Sequence, residues 1–410
     1  MSKALTQVRA GFIPLVDAAS MIVAKELGYA EAEGVDLVLV KETSWATIRD
    51  RLAVAHLDVA HILAPMPVAA NLGLGPLSTP MVVPMALGTG ANSITVSNGL
   101  WTALSEFIAA ADFDAGTTLT ALAKVVDQRR QRKDPPLKLG IVHQFSAHHY
   151  QLAYWLAKAG INTVEDVSLV ILPPSLLPDA LASGSIDGFC AGEPWGTVAA
   201  FAGTGVILTT NAHIWRNSPE KVLGVRKEWM ETHPDVLPGL IRAIYRAAQW
   251  CDATEHQDEL ARILARPEYV GQQAQLLRPC LSRRLKAPNG QYVHVDGFLN
   301  FASKAATFPW RSHALWFYSQ IVRWGQAQYS EEGAAIARDT YRPDIYRAAV
   351  EPMGVELPSA NSKVEGALSG ETLTGATQGK LSLGPDKFFD GSVFDPERLE
   401  DYLASFKSTN

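Results

Sequence analysis

Cysteine is scarce in this chain. Cys190, Cys251 and Cys280 are odd in number and far apart among 410 residues. No two form a C-x-x-C pair, which argues against a disulfide framework and against a cysteine zinc site. The usage suits a reducing compartment. An excess of one charge is lacking too: 36 basic residues stand against 42 acidic ones, a net charge of −6. Binding of nucleic acid or an anionic membrane by bulk charge is therefore not expected, and any bound anion must be held by a local site. Long apolar runs are also missing. The stretch over 12–24 is broken by Pro14 and Asp17, and no segment offers the roughly 18 uninterrupted apolar residues of a membrane span. Before Val8, which already reads as a strand, only seven residues remain. A secretory leader needs a basic region, an apolar run and a cleavage site, so the expectation is a cytoplasmic protein with no membrane attachment.

Catalytic and cofactor fingerprints are equally absent. There is no G-x-S-x-G elbow, no P-loop, no H-E-x-x-H and no EF-hand loop. Gly88-Thr89-Gly90 begins like a dinucleotide fingerprint, but Ser93 stands where the third glycine belongs. His148 and His149 are adjacent, so on a helix they point about 100° apart, a poor pair of metal ligands. No enzyme activity, cofactor or metal is expected.

What is present is a globular composition, with 47% hydrophobic and 19% charged residues, enough to bury large cores. The length suggests two domains. Strand patterns over 7–13, 35–40, 57–62, 82–87 and 93–97 alternate with helical ones over 18–33, 45–56 and 66–73. After a polar, basic stretch at 124–136 a second series begins. It has strands over 137–142, 167–172, 188–191, 206–209 and 222–225, and helices over 148–159 and 178–183. Helical patterns follow over 234–264, 298–325 and 333–350. Such alternation predicts an α/β fold. Two series predict two lobes and a cleft, a common place for a small ligand.

Several residues stand out. Ser44 reads as the N-cap of a helix starting at Trp45; Trp45 either walls a cleft or packs between elements. Asn92 either orients a ligand with its amide or serves as a turn residue. Gly192 and Glu193 follow an apolar strand. Glycine there permits close backbone approach, and Glu193 is either a surface carboxylate or a buried group that needs a partner. Lys221 opens a strand and either gives a cleft a compact positive charge or sits solvated at its edge.

Several ordered segments then resemble the nitrate- and bicarbonate-binding proteins of ABC importers. They are Gly11-Phe12-Ile13-Pro14-Leu15 with Asp17, Ser44-Trp45 with Arg49-Asp50, and His61-Ile62-Leu63-Ala64-Pro65-Met66-Pro67. They continue with Ile94-Thr95-Val96-Ser97-Asn98 to Trp101, Tyr154-Trp155-Leu156-Ala157, Cys190 to Trp195, and Pro219-Glu220-Lys221, and run through Pro309-Trp310 to Trp324-Gly325. The resemblance spans about 7–350 and implies a two-lobed periplasmic-binding-protein type II fold with a hinge and an interlobe anion site. It divides the chain into lobe I (1–100), lobe II (101–220), a return to lobe I with a helical part (221–350), and an irregular, surface-wrapping tail (351–410). It assigns the anion to Trp45, Asn92, His148 and Lys221, with Gly192 and Glu193 beside them. The family more often has Gln where Asn92 stands. His148 or His149 fits the histidine position. In bicarbonate-binding relatives an acidic residue recruits calcium where Lys221 stands, so the lysine favours a metal-free monoanion site. Glu193 is expected to orient His148 or Lys221 rather than touch an anion.

With no leader expected, the chain looks similar to cytoplasmic nitrate/nitrite sensors of the NasS type. The resemblance implies a NasT-type partner, an RNA-binding antiterminator (an ANTAR response regulator), which the ligand-free sensor holds and the anion releases. No direct nucleic-acid contact is implied. The alternative is a periplasmic importer component whose leader is missing from this chain.

Overall fold

The computed structural model describes residues 5–76, 79–108 and 113–407. Residues 1–4, part of the segment on which the leader expectation turned, lie outside them.

Ten strands build two five-stranded sheets. β1 (Thr6–Phe12), β2 (Val35–Lys41), β3 (Val59–Leu63), β4 (Met81–Ala86) and the late strand β10 (Lys221–Arg226) form the first, in the order β2-β1-β3-β10-β4. β5 (Asn92–Ser97), β6 (Leu137–Ile141), β7 (Val167–Ile171), β8 (Gly188–Gly192) and β9 (Gly205–Thr210) form the second, in the order β9-β5-β8-β6-β7. In each sheet four strands run parallel and one runs against them, β10 in the first and β5 in the second, each of them joined to a crossover. β3, β8 and β10 are buried along their whole length, as central strands covered on both faces must be. Helices cover both sheets: α1 (Ala19–Glu26) packs against α4 (Leu237–Asp252), while α3 (Ala147–Ala157) packs against α5 (Arg311–Arg323).

The strand at 92–97 lies in the second sheet, so the expected lobe boundary at residue 100 moves back to the segment 87–91. The chain returns through 211–220. These two crossovers are the only links between the sheets along the described chain, and both are held in place. Thr89–Gly90 pairs with Leu299–Asn300. A Cβ on Gly90 (φ 78°) would stand 2.1 Å from the Phe298 carbonyl oxygen, so only glycine fits there. The helix expected over 298–325 begins only at Arg311. Ahead of it, the Asp252 carboxylate accepts hydrogen bonds from the backbone N–H of Phe301, Ala302 and Ser303 at 2.7–2.9 Å, which fixes a loop.

The tail also departs from expectation. It carries a hairpin (Thr372–Gly375 with Lys380–Leu383) and the closing helix α6 (Leu399–Lys407). Buried polar pairing orders it: Glu365 accepts from Ser312 at 2.6 Å and meets Lys363, whose Nζ also reaches Asp386 at 2.6 Å. Phe388 stacks on Trp215 of the second crossover, with centroids 4.6 Å apart at 20°, and Arg216 N–H donates to the Lys387 carbonyl at 3.0 Å. The tail is thus stitched onto the hinge segment. No helix among the described residues is long and apolar enough to cross a membrane.

Removing the buried Phe388 ring should therefore be felt globally. Phe388→Ala is expected to lower unfolding free energy by about 3–5 kcal/mol, read from urea denaturation. A change near zero would mean that the tail does not share the core.

Candidate functional site

Two capped helices present the first site residues. Ser44 Oγ accepts from Thr47 N–H at 3.2 Å, which starts α2 (Trp45–Ala53) and puts Trp45 at its first position. Ser146 Oγ accepts from His149 N–H at 3.0 Å, which starts α3 and puts His148 in its first turn. A short polar side chain in this role satisfies a backbone donor that the helix leaves unpaired. Both helix starts face the junction of the two sheets, where β5 begins at Asn92 and β10 at Lys221.

Trp45, Asn92, His148 and Lys221 are all buried at that junction. Lys221 Nζ donates to Glu220 Oε1 at 2.7 Å, lies 2.9 Å from Asp17 Oδ2, and stands 5.6 Å from the centroid of the Trp45 ring. Asp17 Oδ1 is 3.0 Å from His61 Nε2, and the His61 ring packs on Trp45. Asn92 Nδ2 donates to Glu220 Oε2. His148 Nδ1 stands 3.2 Å from Glu220 Oε1 without the alignment of a hydrogen bond. The Nε1–H of Trp45, the Oδ1 of Asn92 and the Nε2 of His148 have no hydrogen-bond partner in the structure. Buried polar atoms are usually paired, so unpaired ones on several residues at one junction mark a place for a further group.

Burial weighs against every charge here, and the pairs decide the outcome. It opposes ionisation of Asp17, but Lys221 and His61 outweigh it and hold the carboxyl well below the usual range. It opposes the Lys221 ammonium, but Asp17 and Glu220 outweigh it and the value rises. Burial pushes Glu220 up to about 6, with Lys221 pulling the other way. It depresses His148 well below its ordinary value, and Lys221 adds to this; His61 is lowered by burial despite Asp17. At neutral pH the centre holds one cation, two carboxylates and two neutral imidazoles.

The other two expected residues behave differently from each other. Gly192 pairs with Asn92 across β5 and β8, and a Cβ there would stand 3.4 Å from Asn92 Oδ1. Glu193 does not orient His148 or Lys221. Its carboxylate accepts from Ser93 Oγ at 2.6 Å and Thr197 N–H at 2.9 Å, with Cys280 Sγ at 3.6 Å. The chain turns after Gly192 and carries the side chain to the far side of β5. His149 is occupied elsewhere: its Nδ1 lies 2.7 Å from the Gln144 carbonyl oxygen.

Asp17, His61 and Glu220 were not singled out from the residues alone. Glu220 is masked by its position, because neighbours in a strand face opposite sides. The strand begins only at Lys221, so both side chains meet. Gln151, one turn along from His148, is buried with both amide atoms unpaired, and nothing in the sequence distinguishes it. The nearby Cys190 thiol is pushed up by burial and so stays protonated. Among the described residues no group of three or more His, Cys, Asp or Glu is arranged to hold a metal ion.

Comparison with known proteins adds to this geometry. Residues 2–265 match the model of the NMT1-like family. The nitrate import ATP-binding protein NrtC of Synechocystis sp. PCC 6803 is 35% identical over 349 residues, 84% of this chain and 50% of that protein; the chain spans half its length. The nitrate/nitrite binding protein NrtA of Synechococcus elongatus is 32% identical over 411 residues, 98% of this chain and 86% of that protein. The crystal structure of the periplasmic nitrate-binding protein NrtA from Synechocystis PCC 6803 is similar at a TM-score of 0.85 and 28% identity, covering 98% of this chain and 99% of that one. The two sheets and their paired crossovers are therefore the two-lobed periplasmic-binding-protein fold.

Glu193 permits a test of its surroundings. Burial raises its carboxyl above the ordinary value, and the Ser93, Thr197 and Cys280 donors offset this only in part. The folded chain thus keeps that proton to higher pH than the unfolded one, and stability falls as pH rises through the raised value. Glu193→Gln cannot ionise. It is expected to be more stable than the parent at about pH 8 and to converge with it below about pH 4.5. Parallel stability curves would show that Glu193 carries no such strain.

Proposed function

Because this chain belongs to the NMT1-like family, we propose that it binds nitrate or nitrite, a small monoanion, between its lobes and does so as a binding protein rather than an enzyme. The observation that carries this reading is the meeting of Asn92, His148 and Lys221, from three distant segments, at one buried point. The unpaired Nε1–H of Trp45 supplies a fourth donor. Nitrate offers three acceptor oxygens and no donor, and these groups are complementary to it. Hydrogen bonds to a charged group contribute roughly 1.5–3 kcal/mol each. A few of them in a closed cleft supply the roughly 8 kcal/mol of a micromolar complex. The relatives named for nitrate support the same choice.

Two finer readings divide on what the closed form does. In the first, the chain is a cytoplasmic sensor that holds an RNA-binding antiterminator when ligand-free and releases it when nitrate closes the lobes. Its support is the resemblance of the sequence to such sensors. Thermodynamically the partner would bind the open form better, and by linkage it would weaken nitrate binding by the same factor. In the second, the chain delivers nitrate to an ABC importer, as the names of its relatives suggest. Co-elution of the ligand-free protein with the antiterminator, dissolved by nitrate, favours the first; recovery from the periplasm favours the second.

Binding itself is tested by titration calorimetry with nitrate, nitrite and bicarbonate, the last with and without calcium. Lys221→Glu is expected to abolish nitrate binding, because a third carboxylate would replace the only cation. Trp45→Phe keeps the ring packing and removes the indole donor. A loss of about tenfold to a hundredfold is expected, the equivalent of one hydrogen bond to a charged group. An unchanged isotherm would leave Trp45 as a wall only.

A further inference from the structure

The donors assigned to the ligand are already engaged with a planar anion. Glu220 Oε1 takes Lys221 Nζ at 2.7 Å and has His148 Nδ1 at 3.2 Å, and Oε2 takes Asn92 Nδ2. A carboxylate resembles nitrate in the features that matter here: it is flat, its single charge is delocalised, and its oxygens only accept. The residue is buried in the second crossover, and its backbone oxygen accepts from Ala64 N–H at 3.0 Å. Its side chain therefore joins a lysine of the first sheet to an asparagine of the second and lies against a histidine of helix α3. That is the place and the task of a ligand that closes two lobes.

Charge balance then limits how a second anion can enter. The charged and titratable groups facing Glu220 are Lys221 beside it, Asp17 from the turn after β1, His148 from α3 and Cys190 from β8. His61 acts through Asp17. With both imidazoles neutral, a monoanion added to this set would leave one cation among three negative charges in a site shut off from water. Exchanging one negative charge for another leaves the balance as it stands.

Resting on the nitrate-binding reading, we propose that the Glu220 carboxylate is a built-in competitor that holds the ligand's place. An anion binds by taking over Asn92, His148 and Lys221 while Glu220 takes up one proton from solvent. The protein thereby refuses weakly bound anions, and ligand uptake becomes linked to pH. Burial holds the free protein's Glu220 at about 6, so above that value the complex keeps a proton that the free protein has lost. Affinity is then flat below about pH 6 and falls about tenfold per pH unit above it.

Calorimetry with nitrate at about pH 5–9, in buffers of different ionisation enthalpy, reads both the affinity and the protons taken up. The wild-type protein is expected to take up close to one proton per anion at about pH 8. Glu220→Gln should bind with no proton uptake and no pH slope, about a hundredfold tighter than wild type at about pH 8. A flat wild-type profile would overturn the proposal without any variant. Proton uptake retained in Glu220→Gln would place the proton on His148 and overturn it too. Weaker binding by a folded Glu220→Gln would make Glu220 a positioning residue for Lys221 instead. No anion binding by either protein, even at about pH 5 where Glu220 is protonated, would bring down the binding function itself. Binding that ignores pH would bring down only the competitor.

Discussion

An ammonium group withdrawn from water has to be paired, and the Lys221 ammonium is withdrawn almost completely. Its pairing organises the centre of the molecule. Asp17 and Glu220 supply the opposing charges, and each carboxylate then needs donors of its own. Asp17 finds His61 on β3, while Glu220 finds Asn92 on β5 and approaches His148 on α3. One buried charge therefore ties together the turn after β1, two strands of the first sheet, a strand of the second sheet and a helix start. Breaking a buried pair typically costs several kcal/mol because it leaves the other charge unpaired, so these segments stand or fall together.

The same pairing spans the cleft, which makes lobe closure and charge neutralisation a single problem. The sheets are joined along the chain only by 87–91 and 211–220 among the described residues. Glu220 ends the second of these and Asn92 follows directly on the first. Each crossover is braced from outside, one by Leu299–Asn300 and the other by Phe388 against Trp215. Opening the cleft would move donors away from Glu220 while these braces hold the hinge segments.

Much of the architecture was legible because it is local. The alternation of strand and helix patterns follows from periods of 2 and 3.6 residues, and the start of α2 follows from Ser44 as its cap; the Ser146 cap of α3 shows only in the structure. Four of the singled-out side chains, Trp45, Asn92, His148 and Lys221, do meet in space. The errors arose where a distant partner intervened. Asp252 prevents the helix pattern at 298–310 from forming. The Gly- and Ser-rich tail gains order from Lys363, Glu365 and Asp386, which pair with one another while Glu365 also accepts from Ser312 on α5. Glu193 reads as a partner for the site, yet the direction of the chain after Gly192 aims it at Ser93 and Thr197.

By itself the sequence determined which chemical groups were available: a lysine at a strand start, a capped helix carrying Trp45, a helix pattern opening at His148, and no G-x-S-x-G, P-loop or H-E-x-x-H motif. The tertiary structure alone decided what those groups do to one another. Residues 17, 61, 92, 148 and 220 are far apart along the chain, and only its path through both sheets brings them to a single point out of water. Charge strength, proton affinity and hydrogen-bond demand all depend on that exclusion from solvent. For that reason Glu220, an unremarked neighbour of Lys221 in the sequence, becomes the group on which the site turns.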